Sequence, residues 1–87
     1  MDLKAKFEDA AARVQNLTSR PSNEDLLNLY ALFKQATEGD VQGEKPGMFD
    51  FKAAAKYSYW EKLQGMDSET AMNQYIALAE ELVSKHS

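Results

Sequence analysis

The chain has 87 residues, 44% of them hydrophobic and 28% charged, which is enough for one thin-cored domain spanning 1–87 and too short for two. A formal net charge of −4, from 10 Lys and Arg against 14 Asp and Glu, excludes a general nucleic-acid binder, whose affinity needs a basic surface. With no cysteine, disulfides, thiolate metal sites and thiol catalysis are excluded, and the composition fits a reducing compartment.

The opening MDLKAKFEDA alternates charged and apolar residues, so it has neither a signal-peptide core nor a membrane span, and the chain reads as cytoplasmic and unprocessed. Phe7, Ala10, Ala11, Val14 and Leu17 recur at helical intervals, predicting a first helix from Leu3 or Lys4 to Leu17. Pro21 closes the polar TSRPS segment. Ser22 or Asn23 then caps a second helix, with Glu24 and Asp25 near its positive end and Gly39 stopping it. Its apolar residues, from Leu26 and Leu27 through Leu29, Tyr30, Leu32, Phe33 and Ala36, cover more than one stripe. Such a helix touches partners on several sides and belongs at the centre of the fold.

Between Gly39 and Phe51 the sequence carries Gly43, Pro46 and Gly47, so a long irregular connection is expected there, of a kind that crosses the molecule or serves a site. A third helix is predicted from Lys52 to Leu63, with Gly65 as its C-terminal glycine. Asp67 caps a fourth, from Ser68 to Lys85, along which Ala71, Met72, Tyr75, Ile76, Ala79, Leu82 and Val83 form the apolar face. The result is an all-α bundle of four helices without a heptad seam or internal repeat.

Two segments combine basic and aromatic residues: YALFKQATEGD from Tyr30 to Asp40, and KPGMFDFKAAAKYSYWEKLQGM from Lys45 to Met66. On helices, Tyr30 and Lys34 share one face, and Lys52, Lys56 and Trp60 share another. Lysines stacked four apart repel each other mildly, so on an acidic protein such a face suits an anion that carries an aromatic ring. Aromatics at helical spacing are also ordinary core and lysines ordinary solvated residues, and spacing alone leaves both readings open.

Taken in order, YALFKQATEGD, KPGMFDF, Lys56 with Trp60, the LQGM turn and the AMNQY segment ending at Tyr75 resemble the acyl-CoA-binding protein (diazepam-binding inhibitor) family, from Phe7 to Leu82. The resemblance implies an up-down-down-up four-helix bundle that binds medium- and long-chain fatty acyl-CoA esters and acts as an intracellular carrier and buffer. It goes with acyl-CoA-producing or acyl-CoA-consuming enzymes as partners and no cofactor, while the residues themselves, without a heptad or exposed apolar stripe, a nucleophile-base pairing or a metal-ligand set, lead to the expectation of a monomer without catalysis, metal or stable membrane insertion. Coenzyme A presents a ribose 3′-phosphate, a pyrophosphate, an adenine ring and an apolar tail, so its site needs lysines, aromatic hydroxyls and an apolar groove.

By the same resemblance, Lys34 and Lys56 correspond to lysines that grip the phosphates, with Lys52 as a further basic contact. Tyr30 and Tyr75 correspond to tyrosines at the phosphate, ribose and adenine. Leu26 and Leu27 correspond to the acyl-chain path, faced by Phe7 and Ala11 of the first helix, although all four residues also suit a plain core. Three positions depart from the family pattern: Gln15 stands where many members have lysine, Phe33 where tyrosine is common, and Tyr57 where tryptophan is common. Gln15 keeps hydrogen-bonding capacity without charge. Phe33 keeps a ring without its hydroxyl, and Tyr57 is tolerated if its hydroxyl finds solvent or a partner.

Two other classes are weighed against the carrier. A thioesterase needs a nucleophile and a base, yet the single histidine, His86, falls at an end expected to fray. A helical interaction module would use the same aromatic faces to receive a partner helix. The acids Glu80 and Glu81 read as a solvated face, and Asp40, Glu44 and Asp50 as loop charges without a metal.

Overall fold

The computed structural model describes residues 2–47 and 49–86, so Met48 of the KPGMFDF segment lies outside the described residues. Within them the chain forms four helices and no strand: α1 (Leu3–Val14), α2 (Asn23–Glu38), α3 (Phe51–Glu61) and α4 (Ser68–His86).

Each helix begins on a side chain that accepts an otherwise orphaned backbone N–H. Asp2 accepts from Ala5 at 2.8 Å, Ser22 from Asp25 at 3.1 Å, Asp50 from Ala53 at 3.1 Å and Asp67 from Thr70 at 2.6 Å. α2 ends where Gly39, at φ 82°, turns the chain into a region that favours glycine, while its N–H still reaches the Gln35 carbonyl at 3.2 Å.

Two boundaries differ from the sequence expectation. α1 stops at Val14 rather than Leu17, because Gln15 and Asn16 donate to carbonyls only three residues back and the Asn16 amide takes the Ala12 carbonyl at 3.1 Å. Leu17 still packs on the core from outside the helix. α3 starts at Phe51, on the Asp50 cap, and ends at Glu61, after which Leu63 and Gln64 continue in tight turns to Gly65 at φ 91°.

Three hydrogen-bonded junctions fix the helix directions. Thr18, just past α1, donates its N–H to the carbonyl of His86 at 3.2 Å, so α1 and α4 finish at the same end and run parallel. Ser68, opening α4, donates to the Ala36 carbonyl near the end of α2 at 2.7 Å, so these two are antiparallel. Trp60, near the end of α3, donates its indole N–H to the Gly39 carbonyl at 2.8 Å, so α2 and α3 are parallel. The order is up-down-down-up. A parallel pair cannot be joined by a tight turn, which accounts for the long connection between α2 and α3.

α4 packs on α1 and on α2, and α2 also packs on α3, giving a lateral order α1, α4, α2, α3. The buried core joins Phe7 and Ala10 of α1, Leu29, Leu32 and Ala36 of α2, and Ala71, Tyr75, Ala79 and Leu82 of α4. No residue of α3 is fully buried. That helix is an outrigger on α2, and its face toward α2 stays partly open.

Candidate functional site

Gln35 is 1% exposed, and its amide nitrogen donates to the Asp40 carboxylate at 2.9 Å and to the Met66 carbonyl at 2.8 Å. The backbone N–H of Gly65 donates to the same Asp40 oxygen at 2.8 Å. These donors, Gly65 first and Gln35 second, hold the Asp40 carboxyl below its ordinary range, so it stays ionised. One carboxylate thus ties the end of α2 to the turn before α4. Trp60 ties the end of α3 to Gly39, and Tyr57 gives its hydroxyl to the Gly43 carbonyl at 3.1 Å, the partner that its tolerance required. Together these bonds hold α3 beside α2 in register.

That register brings the two basic-aromatic faces together. Lys56 of α3 holds its ammonium 5.1 Å from the centroid of the Tyr30 ring on α2. Lys34 holds its own 5.8 Å from the same ring and 5.8 Å from the Trp60 ring. Two cations at one tyrosine ring are each attracted by the ring and repelled by one another, which leaves positive potential available to an anion. Lys34 is also paired with Glu38 at 2.6 Å, and this hydrogen bond holds its ammonium above the ordinary lysine range. Lys34 is therefore fully charged at neutral pH and already occupied by an exposed intrahelical partner.

Tyr30 lines three cavities that meet at its ring. The first, about 510 Å³, is bounded by Ala11 and Gln15 at the α1 side, Leu26, Phe33 and Lys34 on α2, and Tyr75 on α4. A second, about 470 Å³, runs between the starts of α2 and α3, past Leu26, Leu27, Phe51, Lys52, Lys56 and Arg20. A third, about 450 Å³, lies under the crossover, with Val41, Gln42, Lys52, Lys56 and Trp60 in its wall. Leu17, Leu26, Leu27 and Leu29 line the first two cavities and at least one lysine lines each of the three, so the groove can take an amphiphile with an anionic head.

Of the residues singled out from the sequence, Gln15, Ala11, Leu26, Tyr30, Phe33, Lys34 and Tyr75 line the first cavity, and Leu27, Lys52 and Lys56 line the neighbouring two. Phe7 stands apart from that lining. Its buried ring stacks on Phe33, with centroids 5.3 Å apart, and meets Tyr75 edge-on at 5.0 Å, so it supports the wall from the core. Tyr75 is 4% exposed, and burial lifts its phenol above the ordinary range, keeping it a neutral donor.

Sequence reasoning missed Arg20, Phe51 and the crossover residues Val41 and Gln42, because only the tertiary fold brings a linker and a loop to the same groove. It also missed Gln35, although a glutamine between apolar helix positions, followed by Gly-Asp, was a usable signal. His86 corrects the expectation of a frayed end. Its ring nitrogen Nδ1 lies 2.9 Å from the Ser19 hydroxyl, and its carbonyl accepts from Thr18, so the last turn of α4 is clasped to the α1–α2 linker. Ser19 and His86 line none of the three cavities, and among the described residues no carboxylate is hydrogen-bonded to the ring. The pair is a clasp. Among the described residues, no cluster of three or more His, Cys, Asp or Glu could hold a metal ion.

The model of the acyl CoA binding protein family matches residues 4–79, nearly the whole chain. The chain belongs to the acyl-CoA-binding protein family. It is 52% identical over 80 residues to acyl-CoA-binding protein homolog 1 of Caenorhabditis elegans, covering 92% of this chain and 93% of that one. The acyl-CoA-binding protein of Saccharomyces cerevisiae is 48% identical over 81 residues, covering 93% of each chain. Among solved structures, acyl-CoA-binding protein 2 of Oryza sativa superimposes with a TM-score of 0.92 at 38% identity, over 95% of this chain and 90% of that one. The yeast solution structure does so with a TM-score of 0.74 at 48% identity, over 93% and 94%. Family membership and the four-helix all-α fold therefore agree.

Proposed function

We propose that this protein binds medium- and long-chain fatty acyl-CoA esters and serves as their intracellular carrier and buffer. The observation that carries the reading is the pair Lys34 and Lys56, brought from two helices onto the single Tyr30 ring beside a leucine-lined groove. Lys34 and Lys56 take the phosphates, chiefly the ribose 3′-phosphate, with Lys52 as a further cation. Tyr30 and Tyr75 serve the ribose and adenine region, Tyr75 as a neutral donor. Leu26 and Leu27 take the acyl chain, Ala11 and Gln15 complete the wall from the α1 side, and Phe33 and Phe7 shape it. The protein acts as a single cytoplasmic domain and a monomer, exchanging ligand with enzymes that make or use acyl-CoA.

It is a carrier and not an enzyme. The alternative of a helical interaction module has no observation in its favour. Calorimetric titration with acyl-CoAs of graded length, free CoA and free palmitate tests the reading. Affinity is expected to rise by up to about 0.8 kcal/mol per buried methylene until the groove is filled. Palmitoyl-CoA binding no more tightly than palmitate would overturn the headgroup assignment.

A further inference from the structure

Phe49 and Phe51 are 94% and 81% exposed, far more than Phe33, the next large apolar side chain among the described residues, at 40%. They flank Asp50, whose carboxylate caps α3 through the Ala53 N–H and whose own N–H reaches the Gly47 carbonyl at 3.1 Å. The turn that carries both rings is thereby tied to the start of the helix. Phe51 opens onto the groove between α2 and α3, beside Leu26, Leu27, Lys52 and Lys56. Phe49 lines none of the groove cavities, so a ligand lying in the groove does not account for it.

The charge around these rings is unlike that of the whole chain. The protein carries a net charge of −4, yet Arg20, Lys52 and Lys56 border the same mouth and Lys45 precedes the turn. Two acids lie near them in sequence, Asp50, which caps the helix, and Glu44 beside Lys45, against these four cations. Paired phenylalanines with basic neighbours suit the boundary of an anionic bilayer, where rings enter the headgroup region and ammonium groups meet lipid phosphates.

We propose that the turn bearing Phe49 and Phe51 is a reversible membrane anchor that seats the mouth of the groove on an anionic bilayer surface. The purpose of this anchor rests on the acyl-CoA reading, because a long-chain acyl-CoA is itself an amphiphile that partitions into bilayers; the anchor's geometry does not rest on it. Two rings give only shallow, transient attachment, which suits a carrier that must leave with its cargo. The net negative charge of the rest of the chain adds no attraction to an anionic bilayer.

Sedimentation of the ligand-free protein with phosphatidylcholine vesicles, with and without phosphatidylserine, tests the anchor at low and high salt. Binding is expected to the anionic vesicles at low salt and to fall as salt rises. Phe49→Ser is expected to weaken it at least about fivefold, because interfacial binding scales with the apolar area inserted. Phe49→Trp is expected to retain binding, with its emission moving to shorter wavelength on the vesicles. Calorimetry with palmitoyl-CoA is expected to give the same affinity for Phe49→Ser as for the parent. Equal vesicle binding by parent and Phe49→Ser, or no vesicle binding by the parent at low salt, overturns the anchor. Loss of vesicle binding in Phe49→Ser together with a parent that fails to bind acyl-CoA would leave the anchor standing and remove the carrier reading instead.

Discussion

Replacing Lys34 by methionine removes one ammonium from the Tyr30 cluster while keeping most of the aliphatic stem. In the folded protein this ammonium makes an exposed pair with Glu38 at 2.6 Å and lies 5.8 Å from the Tyr30 and Trp60 rings. An exposed i,i+4 pair contributes about 0.3–0.5 kcal/mol and an exposed cation–π contact about 0.5 kcal/mol, so the loss of stability is about 1 kcal/mol. That corresponds to a fall in Tm of roughly 4–8 °C. Binding is expected to suffer more, because a hydrogen bond from a charged donor contributes about 1.5–3 kcal/mol, equivalent to roughly a ten- to 150-fold loss in affinity for palmitoyl-CoA. Since Glu38 competes with ligand phosphate for the same ammonium, Glu38→Gln is expected to leave affinity unchanged or raise it a few-fold, by about 0.5 kcal/mol or less. Lys62, whose ammonium lies 5.0 Å from the Tyr59 ring and lines none of the groove cavities, supplies the control. Calorimetry and thermal unfolding on Lys34→Met, Glu38→Gln and Lys62→Met separate the two effects. If Lys34→Met bound like the parent, or if Lys62→Met lost as much affinity, the lysine pair would be a solvated face and not a phosphate site.

Palmitoyl-CoA at a hundredfold excess over Kd is expected to stabilise the fold by about 2.7 kcal/mol, and its 3′-dephospho analogue at equal concentration much less; identical melting shifts would refute the assignment of Lys34 and Lys56. Asp40 has a depressed folded pKa, so its contribution to stability is full above the unfolded aspartate value of about 3.9 and is lost as pH falls through the folded value. Asp40→Asn is accordingly expected to lower Tm at pH 7, with the deficit shrinking toward pH 3; a deficit independent of pH in thermal scans would show that ionisation is irrelevant. Trp60→Phe removes the hydrogen bond to Gly39 and is expected to cost about 1 kcal/mol in urea unfolding, whereas an unchanged midpoint would deny that this bond holds α3. Leu82→Ala, at a site 1% exposed, is expected to cost about 2–5 kcal/mol in the same assay, and a loss below that range would mean that the core collapses around the gap.

The helices were legible because their caps and apolar periodicities are local. Ser22, Gly39 and Asp67 all act where the sequence alone puts them, whereas Gly65, expected to end α3, takes its positive φ in the turns after Glu61, beyond the Lys62 cap. Boundaries were less legible where side chains compete with the helix: α1 stops at Val14 because Gln15 and Asn16 take carbonyls only three residues back and the Asn16 amide takes that of Ala12. Spacing placed Tyr30 with Lys34 and Lys52 with Lys56, but only the register of α3 on α2 brings Lys56 to the Tyr30 ring. That register depends on Trp60, Tyr57, Gln35 and Asp40, whose partners are backbone carbonyls, an amide N–H and each other. Such partners carry no side-chain signature in the sequence. The centrality of α2 could be read from its wide apolar surface, whereas α4 looked like an ordinary amphipathic helix and is equally central, packing on both α1 and α2.

The lateral order α1, α4, α2, α3 also bears on how the chain reaches its native state during synthesis. α1 is the first of the four helices to be made, yet apart from the stack of Phe7 on Phe33 of α2 it packs on α4, the last of the four. α2 and α3 can associate as soon as the crossover is complete, but without α4 the core residues of α2 have nothing to close against. The nascent chain therefore holds an incompletely covered amphipathic helix, with Phe7 and Ala10 lacking their α4 partners, until α4 emerges. Native burial of α1 becomes possible only when Tyr75, Ala79 and Leu82 have emerged, and the contact from Thr18 to His86 follows them. Native closure of the bundle thus waits until all four helices have emerged, and losing even the last turn of α4 would strip its oldest helix of the clasp that ends it.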